Sequence, residues 1–125
     1  MTEIPKEQFY GAGFLDTVTF PNVTTVGSHA FAYSHFGGVS LHNVTEIPSY
    51  MFLACLWLKK IDMPKLRTGN VACFYTCGLE EAVFPELETA GNTFLGGCPY
   101  LRIAYLPKLK VFESSLLARN PNLQT

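Results

Sequence analysis

The sequence predicts a β-rich solenoid of short coils stacked along one axis. Three observations predict it: a short period that holds along the whole chain, apolar columns in fixed register within that period, and proline or glycine at constant offsets. With Leu15, Phe36, Leu58, Leu79, Leu101 and Leu123 as anchors, successive position numbers differ by 21, 22, 21, 22 and 22. About five and a half copies fill the 125 residues, read as a single domain.

The first element of each copy follows the anchor. Three residues on stand Val18, Val39, Ile61, Ala82 and Ala104, and five on stand Phe20, Leu41, Met63, Phe84 and Leu106. This alternation ends at Pro21, His42, Pro64, Pro85 and Pro107, and a proline inside a helix costs about 3 kcal/mol. A short strand fits, and successive strands pair as a parallel sheet. Eight residues after the anchor, Val23, Val44, Leu66, Leu87 and Leu109 form a further apolar column.

The second element begins at the column Ile4, Val26, Ile47, Gly69, Ala90 and Phe112 and ends at the column Phe9, Phe31, Phe52, Phe74, Leu95 and Leu117. Pro5, Gly27, Pro48 and Gly91 open a run of small and polar residues between them. Proline suits the first position of a helix, so this segment is expected to be one helical or 3₁₀ turn. One copy buries roughly six apolar side chains at about 2 kcal/mol each, well short of the ordering entropy of its backbone. Copies must therefore stack.

Nine basic against ten acidic residues leave a net charge of −1, which predicts neither a nucleic-acid footprint nor a basic membrane-attracted face. No apolar run approaches the roughly 20 residues of a membrane span, and Met1 to Pro5 lack the basic start and apolar stretch of a secretory signal. No cofactor is expected.

Read together, the columns spell a grammar seen in full at Ile47-Pro48-Ser49-Tyr50-Met51-Phe52-Leu53-Ala54-Cys55-Leu56-Trp57-Leu58-Lys59-Lys60-Ile61-Asp62-Met63-Pro64. It resembles the BspA-like class of leucine-rich repeats, and the same grammar returns at Ala30-Phe31, at Cys73-Phe74 with Cys77, and at Phe94-Leu95 with Cys98. The resemblance implies a right-handed leucine-rich repeat solenoid serving as a cell-surface or secreted interaction module, often an adhesin. Gly69 and Ala90 in the isoleucine column, Phe36 as an anchor and His42 in the proline column depart from the pattern, and are expected to loosen single rungs.

Cys55, Cys77 and Cys98 share a column with Ala12, Ser34 and Asn120. Rungs about 4.8 Å apart lie within disulfide distance, but stacked side chains point the same way, so buried thiols are expected. Cys73 stands with Ala30, Met51, Phe94 and Leu116. No paired C-x-x-C spacing suggests zinc. His29, His35 and His42 fall in three columns and so on different sides of the coil. No catalytic constellation stands out, so the reading is non-enzymatic. Asn22-Val23-Thr24 and Asn43-Val44-Thr45 fit the glycosylation acceptor pattern, but recur at one place in the repeat.

Charges alternate by copy in the columns Lys59, Glu80, Arg102; Lys65, Glu86, Lys108; and Arg67, Glu88, Lys110, which predicts ion-pair ladders that fix register. The column before the anchor holds Phe14, His35, Trp57, Gly78, Tyr100 and Asn122, and the outward strand positions hold Lys60, Glu81, Val83, Ile103 and Tyr105. Aromatic residues are enriched at binding hot spots. Trp57, Tyr100, Val83, Ile103, Tyr105, Lys60 and Glu81 are therefore the candidate partner-binding residues, for a protein or glycan. The competing reading lays these rings over the coil edge as extra core. Neither end carries a polar cap, which predicts a segment of a longer protein or end-to-end self-association. The rival to a binding module is a structural spacer or self-assembling stalk.

Overall fold

The computed structural model describes residues 2–13 and 16–123; the anchor Leu15, its neighbour Phe14 and the terminal Gln124 and Thr125 lie outside the described residues. The chain forms a parallel solenoid in which every coil contributes a three-residue strand, a two-residue strand and a turn segment. The three-residue strands follow the anchors: β2 (Thr17–Thr19), β4 (Gly38–Ser40), β6 (Lys60–Asp62), β8 (Glu81–Val83) and β10 (Ile103–Tyr105). They pair in parallel, with Val18 opposite Val39, Val39 opposite Ile61, and Ala82 opposite Ala104. Side chains alternate across a strand, so these central residues face inward while their neighbours form the outer strand face.

The two-residue strands carry the isoleucine column and form a second parallel ladder that the periodicity alone did not announce. They are β1 (Glu3–Ile4), β3 (Thr25–Val26), β5 (Glu46–Ile47), β7 (Thr68–Gly69), β9 (Thr89–Ala90) and β11 (Val111–Phe112). A tight turn separates the two strands of a coil, and the proline column supplies its second residue. Val23 N donates to Phe20 O, Leu66 N to Met63 O, Leu87 N to Phe84 O and Leu109 N to Leu106 O across it. Proline's fixed φ suits that position. Each ladder is interrupted once among the described residues, between β6 and β8 in one and between β3 and β5 in the other.

The expected helical or 3₁₀ turn is corrected by the structure, because no helix forms among the described residues. The segment is instead a third hydrogen-bonded face in which alternate amides serve different coils. Gln8, Tyr10 and Ala12 donate to Pro5, Glu7 and Phe9 within their coil, whereas Glu7, Phe9 and Gly11 donate to Ser28, Ala30 and Ala32 of the next. Two left-handed residues in each of coils one to five break any helical run. His29 and Tyr33 (φ 58° and 59°), Tyr50 and Ala54 (63° and 57°), and Ala72 and Thr76 (53° and 61°) repeat the device. Non-glycine residues rarely adopt this region, at a cost of roughly 1–2 kcal/mol each, and here the cross-coil bonds hold them in it.

The core runs between the three faces. Phe31, Phe52 and Phe74 are fully buried, and the stack Phe9, Phe31, Phe52, Phe74 has ring centroids 5.2, 5.0 and 5.0 Å apart with planes within 20°. Phe94 then meets Phe74 edge-on, at 5.3 Å and 80°, because it occupies a different column. A Cβ on Gly69 would lie 2.1 Å from Phe94 Cε1. The Gly69 rung is therefore not loosened: the ring of Phe94 fills the isoleucine slot from the next coil.

Candidate interaction surface

The outer strand face is built from the residues flanking each inward strand centre. Glu81 stands opposite Ile103 and Val83 opposite Tyr105 in the β8–β10 ladder, so Val83, Ile103 and Tyr105 form one exposed apolar strip. Lys60 stands opposite Gly38 in the other ladder. Lys60 and Glu81 are both exposed, on the two sides of the junction where β6 and β8 run without ladder bonds.

A groove of about 730 Å³ crosses that junction, walled by Thr17, Thr19, Ser40, Lys60, Asp62 and Glu81 among others, with Val83 at one end. Its depth comes from side-chain size. Gly38 and Ser40 are buried between larger neighbours on adjacent coils, leaving a dent where other copies carry Lys60, Asp62 or Tyr105. On the groove wall, His42 Nε2 lies 2.6 Å and Ser40 Oγ 3.3 Å from the same oxygen, Asp62 Oδ2. The serine hydroxyl donates to the carboxylate and not to the imidazole, so the cluster orders the wall without forming a nucleophile–base pair. Sequence reading missed it. The available signal was the coincidence, in copy two, of small residues at both outward strand positions with a histidine in the proline column.

Trp57 and Tyr100 are exposed, at 52% and 51%, on the corner between the turn face and the strand face. They do not touch: Gly78 occupies the rung between them, where a Cβ would strike Leu56 O at 2.0 Å. Lys59 spans that rung, its Nζ 4.2 Å from the Tyr100 ring centroid, a cation–π contact across two coils. Trp57 receives His35 edge-on at 6.5 Å. Of the apolar strip only Val83 lines the groove, Ile103 and Tyr105 lying one coil further along; Lys59, which also lines it, reaches Tyr100, and Trp57 stands apart on the corner.

The remaining histidines are dispersed. His29 stacks on Tyr50 at 5.2 Å, and its Nδ1 lies 2.8 Å from Ser28 Oγ. Among the described residues no cluster of three or more His, Cys, Asp or Glu could hold a metal ion. All four cysteines are free and buried. Their column has a shared chemistry beyond small size: Cys55, Cys77 and Cys98 donate to the carbonyls of Phe31, Phe52 and Phe74 at 3.0, 2.9 and 3.2 Å, and Asn120 Nδ2 donates likewise to Leu95 at 2.9 Å. Each side chain stitches its coil to the phenylalanine column of the preceding coil. Burial pushes the Cys73 thiol up to about 12 and the Cys98 thiol up to about 11. Burial also raises Cys77 strongly, while the nearby Cys77 side chain lowers Cys55 through hydrogen bonding to its thiolate form.

Of the expected charge ladders, one is complete. Glu88 lies between Arg67 at 3.1 Å and Lys110 at 4.0 Å. Lys108 pairs with Glu86 at 2.8 Å, while Lys65 turns to Asn43 Oδ1 at 2.9 Å. Arg102 pairs with Glu81 at 3.6 Å, on the diagonal and not within its own column. Asn43 Nδ2, the atom a glycan would modify, is bonded to Pro21 O at 2.7 Å.

No helix among the described residues is long and apolar enough to cross a membrane. The profile of the BspA type leucine-rich repeat region matches residues 1–124 in six copies. No curated protein matches the chain. Among solved structures, the chain is similar to a leucine-rich repeat protein from Bacteroides ovatus ATCC 8483, with 22% identity and a TM-score of 0.71. The match takes in 99% of this chain but only 40% of that one, so the likeness shows the fold. Solenoids of this kind are generally non-enzymatic interaction or structural modules. The repeat period, the in-register parallel coils and the profile match lead to one assignment: the chain belongs to the BspA-type leucine-rich repeat family.

Proposed function

We propose that the strand face binds a protein partner outside the cell, as an adhesion or recognition module. The observation that carries this reading is the juxtaposition of the exposed strip Val83, Ile103 and Tyr105 with a groove whose walls bring Lys60 together with Asp62 and Glu81. Apolar anchors beside charges of both signs are what a protein interface needs: buried contacts for affinity and a charged rim for orientation. Trp57, exposed on the neighbouring corner, adds the residue type that most often dominates such surfaces.

Tyr105→Ala and Trp57→Ala test it against an array of purified extracellular-matrix and cell-surface proteins. Both side chains are more than half exposed, so the melting temperature should move by no more than about 2 °C, whereas affinity should fall at least about tenfold. Loss of stability with retained binding would make these rings core, and absence of any ligand on the array would leave the rival spacer reading in force. That second reading is favoured by the ion pairs that Glu86 and Glu88 make with neighbouring coils, which serve stacking alone.

A further inference from the structure

We infer that the turn face is a second binding surface, for an uncharged polysaccharide. The first observation is electrostatic. In coils two to five the turn segments, residues 27–37, 48–58, 70–79 and 91–101, contain no Asp, Glu, Lys or Arg, while the strands and return loops of coils three to five carry every charge of those coils. A solvated face usually bears charges of both signs, so a face spanning four coils without one is matched to a partner that carries none.

The second observation is the choice of residue at left-handed positions. Coils one to five hold at least two residues with positive φ each, and Gly11, Gly97, Ala54, Ala72 and Thr76 show that small residues satisfy the position, although Glu7 and Arg119 also occupy it. Yet Tyr33, Tyr50 and His29 occupy such positions, although bulky side chains are disfavoured there and glycine fits freely. His29 and Tyr50 stack on each other at 5.2 Å, so these positions carry rings paired along the face. Tyr33 and Tyr50 are 46% and 38% exposed, and Tyr10 packs on Tyr33 with centroids 5.3 Å apart.

The third observation concerns presentation. The Tyr75 ring runs over the glycine pair of the next coil: a Cβ on Gly96 would lie 3.3 Å, and one on Gly97 3.5 Å, from its atoms. Gly96 leaves room there for the partly exposed ring to lie against backbone. The hydroxyls of Tyr10, Tyr33, Tyr50 and Tyr75 make no hydrogen bond among the described residues.

Rings with free hydroxyl tips, set among Ser49, Asn92 and Thr93, combine flat stacking area with adaptable hydrogen bonding. A neutral sugar chain supplies the complement, C–H faces for the rings and hydroxyls for the tips. A polymer of repeating units also engages several coils at once, since the surface recurs with every rung. Tyr10, Tyr33, Tyr50 and Tyr75 are none of the residues assigned to the strand-face site, whose Trp57 and Tyr100 lie on the corner between the two faces. Variants at Tyr33 and Tyr50 therefore test this reading apart from that one.

Affinity electrophoresis through gels containing laminarin, yeast mannan or alginate tests it, with Tyr33→Gly, Tyr50→Gly and their double variant. The unsubstituted protein should be retarded by at least one of the neutral polymers and not by anionic alginate. Raising salt from about 50 to about 500 mM should leave the retardation in place, because no charge is used. The double variant should lose at least about tenfold in affinity with an unchanged or higher melting temperature, since glycine relieves the left-handed backbone. Tyr105→Ala should bind the polymer as before, whatever becomes of the strand face. No retardation in either neutral gel, retardation in alginate alone, or equal retardation of the double variant overturns the inference. So does a concentration-dependent mass that the double variant abolishes, which would assign the face to a second copy of the chain.

Discussion

Phe94 and Gly69 form one packing unit divided between two coils. The same offset, a little over one coil along the chain, separates Ile4 from Ala30, Val26 from Met51, Ile47 from Cys73 and Ala90 from Leu116, and Cys73 Sγ lies 4.0 Å from Ile47 O. What reads as a defect in a single column is volume shared across two. Gly69→Ile alone should destabilise by about 1–3 kcal/mol or more through overpacking, and Phe94→Cys alone by about 3–5 kcal/mol through the cavity left behind. The double variant recreates the Ile47–Cys73 pair and should recover most of the loss, a coupling measurable as a thermodynamic cycle from urea unfolding. Additive losses would separate the two residues. At Cys73, burial favours the neutral thiol, so the folded pKa of about 12 exceeds the ordinary 9.0. The stability this gives is fully present below pH 9.0 and is lost as pH rises toward about 12. The melting temperature should therefore be level at neutral pH and fall above pH 9, less steeply in Cys73→Ala, whose side chain the same column already accepts at Ala30. Identical alkaline slopes would remove Cys73 from this account.

At the scale of the element, the strand after each anchor was legible because alternation and a terminal proline leave few alternatives. The two-residue strands were not, since a run of two carries no period. The turn segment was misread for a definite reason: proline and small residues also open a helix, and only cross-coil hydrogen bonds make the left-handed positions of Tyr33, Ala54 and Thr76 worth their strain. The exposed apolar strip Val83, Ile103 and Tyr105 followed from strand alternation, whereas the joining of Ser40, His42 and Asp62 depends on register between coils and on side-chain reach. The ladders show the same limit, because columns predict which charges are neighbours but not that Arg102 chooses Glu81. Glu86→Lys with Glu88→Lys should lower the melting temperature, and more at low salt, each exposed pair being worth about 0–1 kcal/mol. Glu80→Lys should change it little, since no ion pair of Glu80 exists among the described residues. Equal effects at all three positions would point to net charge instead of pairing.

The whole molecule is nearly one-dimensional: apart from Lys59 reaching Tyr100 two coils on, coils contact their neighbours, and three hydrogen-bonded faces enclose one continuous core. This architecture separates duties, with volume matching and amide or thiol stitches inside, charges and apolar anchors on the strand face, and uncharged aromatics on the turn face. Its central claim is that equivalent residues of successive coils lie side by side in parallel. Nuclear Overhauser contacts between backbone protons of different strands test it most directly. Parallel in-register coils require contacts at a constant separation of one repeat, as between Val39 and Ile61 or Ala82 and Ala104. Separations that instead shrink stepwise along a pair of strands, the signature of antiparallel hairpins, would contradict it.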